Sequence, residues 1–192
     1  MAPPRKGAGK KLEADLAAAC DRLNAWGHNS NSLLPACDRL AGIPCRMAAD
    51  NEHPFALMTI IEAKECCSAS FPLERITRNE RMHLGQVVRA HGMAVVVIKH
   101  MLKAPRYFAT HWVDWLEMED EIGFVFDSVG RRKSGSASVS LLDGSRPATM
   151  LEIYKEKRVE SLGACLDLFP LLPAHVVPVA RRSCFVRFPE GA

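Results

Sequence analysis

The chain has no apolar run approaching about eighteen residues, and Met1 to Lys11 carries no hydrophobic core of its own. The first absence excludes a helical membrane span and the second argues against a secretory signal, so a cytoplasmic protein is expected. A disulfide framework and a zinc site are disfavoured as well. The seven cysteines are odd in number, form no C-x-x-C, and include the adjacent Cys66 and Cys67, so reduced thiols are expected. Internal repeats are missing, and so is a Gly-rich nucleotide loop, because Gly7-Ala8-Gly9-Lys10 lacks P-loop spacing. Strong charge of one sign is absent too: at +3, composition alone does not mark a nucleic-acid-binding protein.

What is present is enough apolar sequence, 48% of 192 residues, for one domain with a proper core. The reading divides the chain into a basic Pro/Gly-rich arm (1–9), one domain (10–170) and a tail (171–192) without an assignable structure. Apolar spacing predicts a helix from Lys10 to Trp26, with Leu12, Leu16, Ala19, Leu23 and Trp26 buried and Gly27 as its stop. A short helical turn is expected within 33–40, a first strand at Ile43 to Met47, and a turn at His53-Pro54. A second helix should follow Phe71-Pro72 and run to about His91, closed by Gly92. Met93 to Ile98 reads as a central strand and Arg106 to Thr110 as its neighbour. Trp112 to Asp120 reads as a short acidic helix, Phe124 to Phe126 as a strand, 131–140 as a polar loop, and Ala148 to Phe169 as helical with a break near Gly163.

Charge is unevenly distributed. Between Glu74 and Arg106, seven basic residues (Arg75, Arg78, Arg81, Arg89, Lys99, Lys103, Arg106) face two acids, whereas His111 to Asp127 holds six acids and no Lys or Arg. Such polarity suits a protein with one phosphate-facing side; a solvated helix face accounts for basic residues about as often.

The most informative stretch is Ile60-Ile61-Glu62-Ala63-Lys64-Glu65, an apolar β-branched run that ends in charge. In a strand, residues i and i+2 share a face, so Glu62 and Lys64 lie side by side with Ala63 opposite. An isolated E-x-K is most often an exposed ion pair. Here, however, Asp50 lies twelve residues upstream, and a hairpin through His53-Pro54 would bring it against Glu62. Two converging carboxylates repel unless a cation lies between them, and oxygen ligands without His or Cys suit Mg²⁺, with Mn²⁺ as a substitute. Asp-x(11)-Glu-x-Lys is the pattern of a metal-dependent PD-(D/E)XK phosphodiesterase.

Glu62-Ala63-Lys64-Glu65, Ser70-Phe71-Pro72-Leu73, a helix and Gly92 to Ile98 together resemble the core of the RecU family of Holliday junction resolvases. Gly9 to Leu16 more weakly resembles that family's first helix, and on this match Glu13 becomes a third site carboxylate; read by itself, it is equally a solvated glutamate in a first helical turn. Glu80 also stays open. Thr77-Arg78-Asn79-Glu80 fits a capping box, yet Glu80 lies on the apolar stripe of Ile76 and Leu84, from which it could reach the metal site. The family's pattern has His-Gln where this chain has Asn79-Glu80, and 28–49 leaves no room for the long stalk that family members carry.

The reading implies an α/β restriction-endonuclease-like core, a central mixed sheet flanked by helices. Asp50 and Glu62, with the main-chain carbonyl of Ala63, would hold Mg²⁺, and Lys64 would serve the attacking water. Lys10, Lys11, Ser70, Arg75, Arg78 and Arg81 are the candidate DNA contacts, and Arg131-Arg132-Lys133 could touch phosphate. By resemblance the substrate is a four-way DNA junction and the active unit a homodimer. A nuclease acting on flap, nicked or linear duplex DNA, and a DNA-binding relative that does not cut, are the alternatives.

Overall fold

The computed structural model describes residues 8–22, 26–29, 38–49, 53–101, 104–124, 137–157, 164–166 and 168–179. The chain is α/β. In order it forms α1 (Ala8–Arg22), β1 (Trp26–Asn29), β2 (Arg39–Met47), β3 (Phe55–Cys66), β4 (Ser70–Pro72), a 3-10 turn (Leu73–Arg75), α2 (Arg78–Arg89), β5 (Met93–His100), β6 (Arg106–His111), α3 (Trp112–Glu121), β7 (Ser138–Ser140), β8 (Leu151–Ile153), β9 (Lys155–Lys157), β10 (Ala164–Leu166), a second 3-10 turn (Phe169–Leu171) and β11 (Val176–Pro178).

One mixed sheet organises these elements, in the order β1-β2-β3-β5-β6-β8, with β11 also paired to β2. All of its ladders are antiparallel except β3 with β5, which α2 joins as a crossover. β5 is buried at every position: its apolar run from Met93 to Ile98 suits a strand covered on both faces, and Lys99 and His100 are buried at its end. Alternation assigns the two faces. Ile61, Val95, Val97 and Tyr107 pack beneath Leu12, Leu16 and Ala19 of α1. Ile60, Val96, Ile98 and Phe108 pack against Leu84 of α2 and Trp112 and Trp115 of α3. Pro44 interrupts β2 where the strand can bear it. β1 pairs with Arg39 to Gly42 and β11 with Cys45 to Met47, so the missing N–H falls near the gap between these partners, and the Pro44 carbonyl accepts from Val179.

Several expectations hold, among them α3, β5, β6 and the Thr77 N-cap of α2. Others are corrected. α1 ends at Arg22, and Trp26 and Gly27 belong to β1, where they pair with Gly42 and Ala41; ladder pairing overrides the helical spacing. The first of the meander's long strands begins at Arg39, four residues earlier than read, and takes in the end of the expected helical turn. The segment read as helical from Ala148 holds three short strands, one of which extends the sheet beside β6. Of the strand expected from Phe124 to Phe126, Phe124 is buried and outside any strand while 125 and 126 lie outside the described residues, and Ser138–Ser140, placed in a loop, pairs with β4. Val176–Pro178 of the unassigned tail is the edge strand β11.

α2 closes through the amides of His91 and Gly92, which donate to the carbonyls of Val88 and Val87. The residue with positive φ is His91, at 58°, and not Gly92. Gly92 is required by proximity instead: a Cβ there would lie 2.6 Å from Val87 Cγ1 and 2.8 Å from the Met58 carbonyl. Gly92→Ala is therefore expected to destabilise by about 1–3 kcal/mol through overpacking. His91→Gly relieves the left-handed conformation but adds unfolded-chain entropy, so it should stabilise by no more than about 1 kcal/mol. Urea unfolding of both variants checks the assignment, and equal effects at the two positions would refute it.

Candidate functional site

The site forms where the β2–β3 ladder stops. That ladder pairs Arg39 with Ile61, which sets position 38 opposite Glu62 just beyond the last strand pair. Asp38 fills this place. Its Oδ2 accepts the amide of Ala63 at 2.7 Å, so a side chain continues the ladder that the backbone has left. Glu62 and Lys64 lie on the α2 face, as alternation requires, with Lys64 Nζ 2.6 Å from Glu62 Oε1. Ala63 and Glu65 turn to the α1 face, where Glu65 pairs with the buried Lys99 at 2.9 Å.

Glu80 joins the same group from the N-terminus of α2. One oxygen, Oε1, accepts from Lys64 at 2.9 Å; the other, Oε2, accepts the Thr77 amide at 2.7 Å, and Thr77 Oγ1 completes the capping box. The two readings of Glu80 are thus compatible: one carboxylate both caps the helix and reaches the Glu62–Lys64 pair.

Burial makes this arrangement electrostatically costly. Glu62 is 2% exposed. Desolvation, followed by the neighbouring charge of Asp38, pushes its carboxyl up to about 8 against the opposing pull of Lys64. Asp38 is raised as well, by burial, although the Ala63 amide and Lys64 work the other way. Burial also disfavours the Lys64 ammonium, but Glu62 and Glu80 outweigh it and hold the group above its ordinary value.

The donor set here is oxygen only. In extended backbone the N–H and C=O of one residue face the same edge, so the Ala63 carbonyl turns toward the edge where its amide meets Asp38. Two carboxylates and that carbonyl fit a hard divalent cation, with the remaining positions left to water. Among the described residues no group of three His, Cys, Asp or Glu side chains could hold a metal ion.

Asp50 falls outside the described residues. The strand ends that flank it, Met47 and Phe55, lie at the far end of the hairpin, about 23 Å along β3 from Glu62. Asp38, which the sequence reading missed, is the acid beside Glu62. Following the alternation Cys45, Ile43, Ala41 back along the chain would have extended β2 to Arg39 and placed Asp38 at its start. Glu13 sits half-buried on α1, the helix that covers the opposite face of the sheet from Glu62.

Among the candidate DNA contacts, Arg75 and Arg78 are exposed close to α2's N-terminus. Arg75 Nη1 donates to the Glu65 carbonyl, and its guanidinium lies over Phe71. Ser70 is half-buried in β4, where its carbonyl accepts from Ser68 Oγ. Lys11 is exposed on α1, and the side chain of Lys10 is outside the description. Arg81 does not belong with these. It grips Glu119 through Nη1 and Nη2, donates to the carbonyls of Ile76 and Leu73, and lies over Trp112 and Phe124. The basic stretch is thinner than its sequence suggests, because Lys99 pairs with Glu65, Arg106 pairs with Glu152 and Asp143, and Lys103 is outside the description. Arg131, Arg132 and Lys133 also lie outside it. A cavity of about 580 Å³ lies at the other end of the sheet, between Phe55, Met93, His111 and Val176.

The acid pair has a consequence for stability. Folded Glu62 keeps its proton up to about pH 8, whereas an unfolded glutamate loses it near 4.5. Between these values the folded state binds more protons, so stability falls as pH rises through this window and stays lower above it. In EDTA, Glu62→Gln should therefore raise the urea midpoint relative to the parent at pH 9, with the gain shrinking towards pH 5. A gain independent of pH would exclude the buried acid as its source.

No protein-family model matches this chain, and the search of curated proteins finds no relative.

Proposed function

We propose that the chain is a metal-dependent nuclease that hydrolyses DNA phosphodiester bonds at the Asp38, Glu62 and Lys64 cluster. The observation that carries this reading is the pair of facing carboxylates, Glu62 buried and Asp38 half-buried, with a lysine fixed two residues beyond Glu62. Such a pair is unfavourable unless protonated or bridged by a cation, and a fold that holds it beside an ammonium suits phosphoryl chemistry. The chain path adds support. A helix, an antiparallel β1-β2-β3 meander, a crossover helix and the parallel β5 are compatible with a restriction-endonuclease-like core, with the acids near the carboxyl end of β3.

In this mechanism Asp38, Glu62 and the Ala63 carbonyl would hold Mg²⁺ or Mn²⁺. The bound ion would polarise the scissile phosphoryl group and make its water more acidic. Lys64 donates hydrogen bonds from a position fixed by two carboxylates, which suits it to orient the attacking water and to stabilise charge on a phosphoryl oxygen. Asp38 keeps its orientation because the Ala63 amide donates to Oδ2, and its side chain also meets Glu62, the acid with which it would share the ion. Arg75 and Arg78 would meet the flanking phosphates. The resemblance to RecU resolvases extends the proposal to four-way junctions cut by a homodimer, whose two-fold axis would set two sites on strands of like polarity.

Labelled four-way junction, flap and linear duplex, incubated in Mg²⁺, Mn²⁺ and EDTA, test the reading. Paired nicks on the junction are expected; cuts confined to the other substrates would assign a different DNA, and a gel shift without cutting would reject catalysis. Asp38→Asn, Glu62→Gln and Lys64→Ala should each lower the single-turnover rate by about a hundredfold or more while leaving DNA binding intact. The carboxylate variants should also lose Mg²⁺ binding by calorimetry, whereas Lys64→Ala should keep it. Full cleavage by Asp38→Asn would reject this acid as a ligand.

Binding supplies a separate check. Removing Arg75 and Arg78 together should make the slope of log K against log salt shallower by about 1.8, since each phosphate that the protein neutralises adds roughly 0.9 to it. An unchanged slope would take both residues out of the DNA face.

A further inference from the structure

We propose that Glu80 is the positioning residue for Lys64, and that the N-terminal cap of α2 is the anchor through which it acts. The inference rests on the nuclease reading and deepens it. Lys64 Nζ lies between two carboxylates, 2.6 Å from Glu62 and 2.9 Å from Glu80. These partners differ in their other obligations. Glu62 faces Asp38, so a cation at that pair would draw on Glu62 and repel the neighbouring ammonium. Glu80 has no such competing demand: its second oxygen is tied to the Thr77 amide at 2.7 Å, and its own backbone amide donates to Thr77 Oγ1.

The capping box therefore holds the Glu80 carboxylate in one orientation with Oε1 aimed at Lys64. The helix behind it is seated by the buried Leu84 and Val87, and Ile76 is fully buried just before the cap. Lys64 projects from β3 and Glu80 from α2, so the ammonium bridges the two elements. When a cation engages Glu62, Glu80 is the carboxylate that keeps Lys64 in place. This also accounts for an acid on the otherwise apolar stripe of α2, where a cap alone would be served equally well by glutamine.

The test uses the full chain with Glu80→Gln, Glu80→Ala and Thr77→Val. Lysine ammonium ¹H–¹⁵N spectra, with the Lys64 signal assigned through Lys64→Arg, are recorded without DNA before and after saturating Mg²⁺. In the parent the Lys64 signal should survive Mg²⁺. In Glu80→Ala it should vanish into fast exchange on Mg²⁺ addition, with the single-turnover rate down at least tenfold and the Mg²⁺ half-saturation unchanged within about twofold. Glu80→Gln preserves the cap and melting temperature but offers a neutral acceptor, so its signal and rate should fall between those two. Thr77→Val loses stability yet keeps the Thr77 amide and should retain the signal. A purely structural cap gives another pattern: Glu80→Gln matches the parent throughout, and Glu80→Ala loses only what Thr77→Val loses. That pattern would overturn the proposal. Should Mg²⁺ leave the Asp38 and Glu62 carboxyl resonances unmoved in the parent, the nuclease reading fails by itself. The metal-free Lys64 signal would still judge Glu80, weakened by Glu80→Ala if Glu80 holds the ammonium and unchanged if it does not.

Discussion

A single hydrogen bond, from the Ala63 amide to Asp38 Oδ2, decides much of the chemistry at the end of β3. It sits where backbone pairing with β2 has ended, and it converts a strand terminus into a place where two acids meet. Without it the Ala63 amide would need another acceptor, and Asp38 would be free to turn to solvent, away from Glu62. The bond therefore substitutes the proximity of two carboxylates for their natural tendency to separate. Lys64 offsets part of the repulsion, and desolvation of Glu62 leaves the remainder to be met by a proton or another cation.

The sheet makes this arrangement possible because its two faces are used differently at the same end. Along β3, Ile60 sits in apolar packing on the α2 face, and the next two side chains on that face are Glu62 and Lys64. On the α1 face the same stretch presents Ile61, Ala63 and then Glu65, whose charge is paired with Lys99. Both faces thus change from apolar to charged over the same few residues; on the α1 face Lys99 balances Glu65, while on the α2 face Lys64 offsets only part of the acid charge. The polarised charge of the sequence has a related origin. Arg81 and Glu119 come from the basic and acidic stretches respectively, and their close pairing beneath Trp112 and Phe124 fastens α2 to α3. Much of what reads as a basic surface is internal scaffolding, and the cations left beside the site are concentrated at Arg75 and Arg78.

The legible parts of the chain were those in which local chemistry and tertiary role agree. Thr77-x-x-Glu80 specifies its own cap, Met93 to Ile98 can only be a covered strand, and E-A-K at the end of a β-branched run places Glu62 and Lys64 together. Asp38 was hidden because its importance arises from pairing with a strand more than twenty residues away. The strand that positions it is interrupted by Gly42 and Pro44, two residues that argue against a strand when read locally. Trp26 misled for the opposite reason: it continues a helical stripe in sequence, yet pairing of the 26–29 backbone with β2 overrides that stripe. Positions 151–166 failed on length, since strands of three residues carry too little periodicity to outweigh an apparent helical pattern.

The acid cluster and the 580 Å³ cavity lie at opposite ends of β3, and their separation bears on what each can do. A small-molecule site benefits from enclosure, because burying most of a ligand supplies its affinity. A phosphodiester within duplex DNA cannot enter a deep cavity; it must be met by an exposed rim, with affinity supplied by contacts along the backbone. Glu62 is buried, but Lys64 and Glu80 retain partial exposure, and Arg75 and Arg78 stand in solvent at the neighbouring helix start. The gradient from buried acid through half-buried lysine to exposed arginines suits a polyanion approaching from outside. The cavity lined by Phe55, Met93 and Val176 has no lysine or arginine among its lining residues, whereas Lys64, Arg75 and Arg78 stand beside the acids, so the chemistry assigned to the acid cluster draws on the end of the sheet that carries fixed cations.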